Sequence, residues 1–336
     1  MTALPTGYEA RAWRMEDAAD VAAMMNAYGR EVWGRDVVIP ESLQAQMHMP
    51  GVNLETDTRL VVSPGGEIAA AGFAVDLAEP HVQVQGTGLV RGQDQGLGIG
   101  RWLAEWIETR GREAIAKAPP NARVILMQTA DDRDDPAKQL LEMRGYKIVR
   151  HFWRMLADLE GPTEAPKWPE GIGVMTYESD IDLRRAFAAG REAFKDHWGH
   201  VDGGDEAGFE RFLHRLETDP DVDRSLRFLA TDGEEFAGIC NVSPREGTDE
   251  ATGYVESLGV RPAWRKRGIG LALLRHAFSV LQDRGLSACA LHVDSESLTG
   301  ATRLYEKAGM QVSELNHAYE LELRPGEDLS KRTAGQ

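Results

Sequence analysis

Val260-Arg261-Pro262-Ala263-Trp264-Arg265-Lys266-Arg267-Gly268-Ile269-Gly270 joins a strand-like run, residues 254–260, to a helix-like run, residues 271–284. A strand, a basic glycine-bearing turn and a helix leave backbone N–H groups unpaired at the positive end of the helix, beside cationic side chains and glycines that let a ligand come close. The stretch reads as a phosphate cradle, although a tight connection with solvated arginines uses the same residue types. The spacing Arg265-x-x-Gly268-x-Gly270 fits neither the P-loop nor the dinucleotide fingerprint.

The stretch occurs twice. Val90-Arg91-Gly92-Gln93-Asp94-Gln95-Gly96-Leu97-Gly98-Ile99-Gly100 falls on residues 260–270 without a gap when 170 is added to each number. In each half a helix follows (101–116, 271–284), then a strand (123–128, 288–293), then a short helix ending at Gly145 or Gly309, where glycine suits a C-cap. A repeat the size of a domain, in a chain of 336 residues, predicts two domains. Residues 158–170 carry Pro162, Pro166 and Pro169 with little periodicity and read as a linker. The domains are therefore expected at 1–157 and 171–325, with a polar, frayed tail at 326–336.

Ahead of the loop, the first half reads as a strand at 8–13, helices at 16–33 and 41–47, a hairpin of 59–62 and 68–75, and a strand at 82–90. The second half reads as a strand at 172–177, helices at 181–194 and 206–216, and strands at 227–230 and 236–242.

Apolar content of 42% suffices for packed cores, and no apolar run is long enough to span a bilayer. Charges at Glu9, Arg11, Arg14, Glu16 and Asp17 argue against a secretory leader, so a cytoplasmic location with no membrane partner is expected. A net charge of −16 argues against a nucleic-acid surface. Cys240 and Cys289 sit in apolar strand-like runs and read as buried thiols rather than a bridge or a nucleophile. His197 and His200 lack a firm third ligand, and no metal is expected.

The order Tyr254-Val255-Glu256-Ser257-Leu258-Gly259-Val260, then 265–270, then Leu304-Tyr305-Glu306-Lys307-x-Gly309 resembles the GNAT N-acetyltransferases, whose pyrophosphate loop reads Gln/Arg-x-x-Gly-x-Gly/Ala. Gln95 to Gly100 fits the same pattern, and the tandem layout is similar to that of the mycothiol synthases. The resemblance implies an α/β (α+β) fold of two tandem GNAT domains, each a mixed, mostly antiparallel sheet flanked by helices and splayed between its fourth and fifth strands. It also implies acetyl-CoA as co-substrate in that gap. Leu258 and Val260 would hold pantetheine by their backbone, and Arg265, Lys266, Arg267, Gly268, Ile269 and Gly270 would surround the pyrophosphate. Gln95, Gly96, Gly98 and Gly100 would either form a second such site or serve only to pack against the other half.

An alkylamine with a pKa near 10 is mostly ammonium at pH 7, so transfer to it needs a proton acceptor, and the departing thiolate needs a donor. The resemblance implies Glu256 as base and Tyr305 as acid. Glu256 also reads as a solvated carboxylate or a substrate salt bridge, and Tyr305 as a packed helix residue. The first half has Gly86 and Leu141 at these places, so it is expected to be non-catalytic. Family members often carry an asparagine seven or eight residues before the helix tyrosine; Leu298 and Ser297 stand there, with Asp294 and Ser295 as polar alternatives.

In this family the first two helices and their connection shape the acceptor pocket, which points to Asp196, His197 and Trp198, with His200 and Asp202 nearby. They are suited to hold a cation, move a proton and stack on a ring; a turn cap at Asp196 and a gap-filling Trp198 are the plainer readings. The expected function is direct acetyl transfer to a small-molecule amine: the cysteinyl amine of a sugar-linked thiol precursor, or an antibiotic or metabolite amine. A non-catalytic CoA-binding sensor or assembly module is the alternative. Either a monomer or a homodimer is expected.

Overall fold

The computed structural model describes residues 2–179, 181–297 and 300–332. Leu298 and the end of the expected tail lie outside the described residues.

In chain order the elements are β1 (Glu9–Arg11), α1 (Ala18–Trp33), α2 (Pro40–Met47), α3 (Leu54–Asp57), β2 (Thr58–Val62), β3 (Ile68–Val75), β4 (Gln83–Val90), α4 (Ile99–Gly111), β5 (Val124–Asp131) and α5 (Asp135–Met143). There follow β6 (Lys147–Asp158), β7 (Ile172–Thr176), α6 (Leu183–Phe194), α7 (Asp205–Thr218), β8 (Arg227–Asp232), β9 (Glu235–Ser243), β10 (Thr252–Val260), α8 (Ile269–Asp283), β11 (Ala288–Asp294), α9 (Ala301–Lys307) and β12 (Gln311–Arg324).

The chain packs into two compact units. The first takes the chain up to Arg150, residues 202–211 and residues 316–329; the second takes 151–201, 212–315 and the chain from Ser330 on. The sheet of the first unit runs β1-β2-β3-β4-β5-β12, with β12 contributing Asn316 to Arg324 against β5. The sheet of the second runs β6-β11-β10-β9-β8-β7, with Phe152 to Asp158 of β6 against β11. Each sheet is antiparallel except at one place, β4 beside β5 and β10 beside β11. β6 and β12, of 12 and 14 residues, were not among the sequence-based expectations. The last strand of the chain thus completes the first sheet, and the strand ending the first half completes the second.

α8 shows how sequence becomes packing. Leu273, Leu274, Ala277, Phe278 and Leu281 recur at helical spacing, and all are buried among Cys240, Val242 and Val255 of the strands and Tyr305 of α9. β12 seats the fully buried Tyr319 in the first unit, and its Glu320 pairs with Arg123.

The parallel pairs are short, and they position the site. β10 pairs with β11 only from Thr252 to Val255, and β4 with β5 only from Gln83 to Gln85, so each sheet opens beyond those residues as expected. Of the two opening strands, β4 and β10, it is β10 that is also bulged. Its register against β9 shifts between Val255 and Ser257, making Glu256 the extra residue, whereas β4 runs against β3 without a shift. The expected fraying of the tail does not extend to residues 330–332. Ser330 bridges Val201, and Lys331 exchanges backbone hydrogen bonds with Gly199 and His200.

Candidate active site

The basic turn has the shape that its glycines suggest. Gly268 at φ 89° caps α8 with no side-chain hydrogen bond to the first turn, so the leading N–H groups of the helix have no side-chain cap. Lys266 is left-handed at φ 62°, an uncommon conformation for a residue with a Cβ. Lys266, Arg267 and Gly268 are exposed, whereas Ile269 turns into the core. Arg265 turns inward: its guanidinium donates to the Val260 carbonyl (3.0 Å), the Ala193 carbonyl (3.0 Å) and the Asp196 carboxylate. Arg267 reaches Asp232 at 3.2 Å. Arg265 and Arg267 are thus both engaged by carboxylates, and an anion at this turn would meet its backbone amides and Lys266.

Glu256 lies at the centre of an ion network. Arg227 Nη1 donates to one carboxylate oxygen at 2.5 Å; Ser243 Oγ (2.6 Å) and Arg215 Nη2 (3.2 Å) donate to the other. Burial alone would raise its pKa, but the arginines, Arg227 foremost, and the Ser243 hydroxyl outweigh this and hold it below the usual carboxylate range. Glu256 is thus a resident anion at neutral pH. The two arginines differ: the Arg227 side chain is 5% exposed, whereas that of Arg215 is 43% exposed and is shared with Asp219. Tyr305 is buried among Cys240, Leu258, Val260 and Leu304. Burial, and secondarily the Cys240 thiol, push its pKa upward, so its hydroxyl stays protonated and can give a proton but not take one. Burial also raises Cys240 to about 12, which leaves it no thiolate to act as a nucleophile.

The segment 193–198 is held over β10 because Gly259 admits it; a Cβ there would come within 2.8 Å of the Phe194 ring and 2.9 Å of Ala193. Asp196 does bind a cation, the guanidinium of Arg265. His197 packs on Phe194 with ring centroids 4.7 Å apart, and burial lowers its pKa, so it is neutral. Trp198 lies under Arg332, 5.1 Å from the guanidinium carbon to the ring centroid. Asp202 packs with the first unit. Of the expected acceptor residues, Asp196 and Trp198 are committed to the protein's own cations. Arg215, Arg227, Asn241 and Ser243 were not anticipated. They come from α7, β8 and β9: the strand register brings Arg227 and Ser243 to Glu256 and Asn241 to the neighbouring Ser257, and the placement of α7 brings Arg215.

The sequence signature of the acetyltransferase (GNAT) family matches residues 190–310. A Thermobispora bispora protein named mycothiol acetyltransferase is 31% identical over 259 residues, 74% of this chain and 79% of its own length. The chain belongs to the GNAT family of acetyltransferases. The crystal structure of a GCN5-related N-acetyltransferase from Sphaerobacter thermophilus is 33% identical, covers 98% of this chain and all of its own, and superposes with a TM-score of 0.78. A tandem GNAT protein from the clavulanic acid biosynthesis pathway shares the fold at 15% identity, with a TM-score of 0.72 over 95% of this chain.

The first GNAT copy repeats the loop without the network. Gly98 caps α4 at φ 86° and Gly96 takes the left-handed place of Lys266, again with no side-chain cap. Gln95, Gly96, Gly98 and Gly100 line a cavity of about 350 Å³ that continues to Tyr28 and Asp134. At Gly86 a Cβ would meet Ile107 at 2.7 Å, so α4 fills the space that a side chain there would need. Leu141, the counterpart of Tyr305, lines the cavity without a hydroxyl. The cavity's polar end is tied up internally, since Tyr28 donates to Asp134.

Proposed function

We propose that the chain transfers the acetyl group of acetyl-CoA to the amine of a small molecule at the second unit's site. The observation that carries this is Glu256, standing in a bulge where β10 leaves β11 and ionised by arginines from two other elements. The residues suit the cofactor. From Glu256 on, β10 has no β11 partner, which leaves that side of Leu258 and Val260 open to an extended amide chain, with the Val260 carbonyl already accepting from Arg265. The amides of 267–270, with Lys266 beside them, suit a pyrophosphate.

In this reading the acceptor arrives as an ammonium and takes the place of the half-exposed Arg215 on Glu256. Losing that arginine raises the carboxylate's proton affinity, so Glu256 both anchors the ammonium and takes its proton, directly or through one water. The freed amine attacks the thioester carbonyl. The C–S bond breaks as the C–N bond forms, the thiolate takes the proton held by Tyr305, and the second proton of the acylated nitrogen returns to the tyrosine oxygen, directly or through water, while Glu256 releases its proton to solvent. The buried, protonated thiols of Cys240 and Cys289 support direct transfer without an acyl-enzyme. The first copy, residues 1–157, is proposed to hold CoA without chemistry.

The relatives' name directs the choice of acceptor to the cysteinyl amine of the mycothiol precursor, with antibiotic or metabolite amines as the broader class. The test is thiol release from acetyl-CoA across an amine panel that includes this precursor. Glu256→Gln and Tyr305→Phe should each lower kcat about 10²- to 10⁴-fold. Unchanged rates in both variants would overturn the assignment. A second reading is favoured by the cavity in the copy that lacks both groups: a CoA-binding module without turnover. Silence across the panel together with retained CoA would support it.

A further inference from the structure

Arg227 is 4% exposed, yet it uses one N–H on Glu256 and leaves Nε and Nη2 buried without a partner. Its register partner on β9, Asn241, donates through Nδ2 to Ser257 Oγ at 2.9 Å, while its Oδ1 is buried and unpartnered. Arg227 opposes Asn241 and Asn241 opposes Ser257, so the three form one row across β8, β9 and β10, on one face, ending beside Glu256. Buried donors and acceptors are ordinarily paired. Here two unused donors and one unused acceptor stand side by side next to the residue that takes the amine.

We propose that Arg227 and Asn241 determine acceptor specificity by reading the group attached to the carbon beside the reacting amine. This rests on Glu256 as the amine's anchor. Two N–H donors on Arg227 call for an oxygen, and the Asn241 carbonyl calls for an N–H. An amide carries both: its carbonyl oxygen accepts from Arg227 and its N–H donates to Asn241 while the neighbouring amine reaches Glu256. A free carboxylate matches Arg227 alone. It leaves Asn241 Oδ1 unpaired and sets a second anion against Glu256. A plain alkylamine satisfies neither residue.

The experiment compares alaninamide, alanine and propylamine with the full chain. Calorimetry in the presence of CoA should show alaninamide binding roughly 10- to 100-fold more tightly than propylamine, the ratio that two hydrogen bonds, one to a charged group, supply. Asn241→Ala and Arg227→Lys, the latter keeping a cation for Glu256, should each lower that ratio about tenfold or more. Equal affinities in the wild type, or variants that weaken all three ligands alike, would overturn the proposal; equal weakening would mark the pair as filled by ordered water. The wild-type comparison stands if either variant fails to fold. Turnover is scored separately: amide-selective binding without thiol release sinks the proposed reaction and leaves the recognition pair standing.

Discussion

At the scale of single residues, the proposed chemistry turns on how many cations face Glu256. Its pKa is held low by Arg227 first and by Arg215 in addition, so its carboxylate contributes stability above the unfolded value of about 4.3, which is lost as pH falls through the folded value. Arg215→Ala removes one cation and must raise the folded pKa. The acid limb of kcat/KM should then move to higher pH, while Tyr305, whose pKa is raised by burial, adds no alkaline limb near neutrality in either protein. An acid limb unmoved by Arg215→Ala would mean that Glu256 does not titrate in the rate. Glu256 was legible in the sequence because it precedes a recognisable loop; its bulge was not. Arg215, Arg227 and Ser243 were not legible as its partners, because their approach depends on the register of three strands and the placement of α7, and no local spacing encodes either. Asp196 was read as a cation holder and is one, but the cation is Arg265 of its own chain.

At the scale of the element, the two loop copies separate backbone strain from charge. Gly268 stands at φ 89° with nothing within 4 Å of an added Cβ, so Gly268→Ala meets no clash and pays only the left-handed penalty, about 1–2 kcal/mol. Lys266 already bears such strain, and Gly96 avoids it. Lys266→Gly should therefore keep or slightly improve stability while raising KM for acetyl-CoA several-fold, with the difference shrinking as salt is added. Denaturant unfolding and initial rates at two ionic strengths separate the two effects. Equal stability losses would show that position 266 is not strained. These loops were the most legible part of the fold, since unpaired amides and left-handed glycines are local matters that eleven residues can encode.

At the scale of the whole molecule, the least legible feature is the exchange of closing strands. Tyr319 pairs with Gln128 and Leu291 with Met155, across sequence separations that leave no periodic trace in either partner. A fragment of residues 1–157 lacks the strand that covers β5 and buries Tyr319, and a fragment of 171–336 lacks the strand that covers β11. Each is predicted to lose cooperative thermal unfolding when expressed alone, and mixing the two should restore it, as followed by circular dichroism. Independent two-state unfolding of either fragment would refute this. The exchange also sets an order of events during synthesis. The edge of β5 is made early, but the strand that closes it follows almost two hundred residues later, roughly 10–40 s at ordinary elongation rates. The half that carries the cavity but neither Glu256 nor Tyr305 is therefore made before the other half and completed after it.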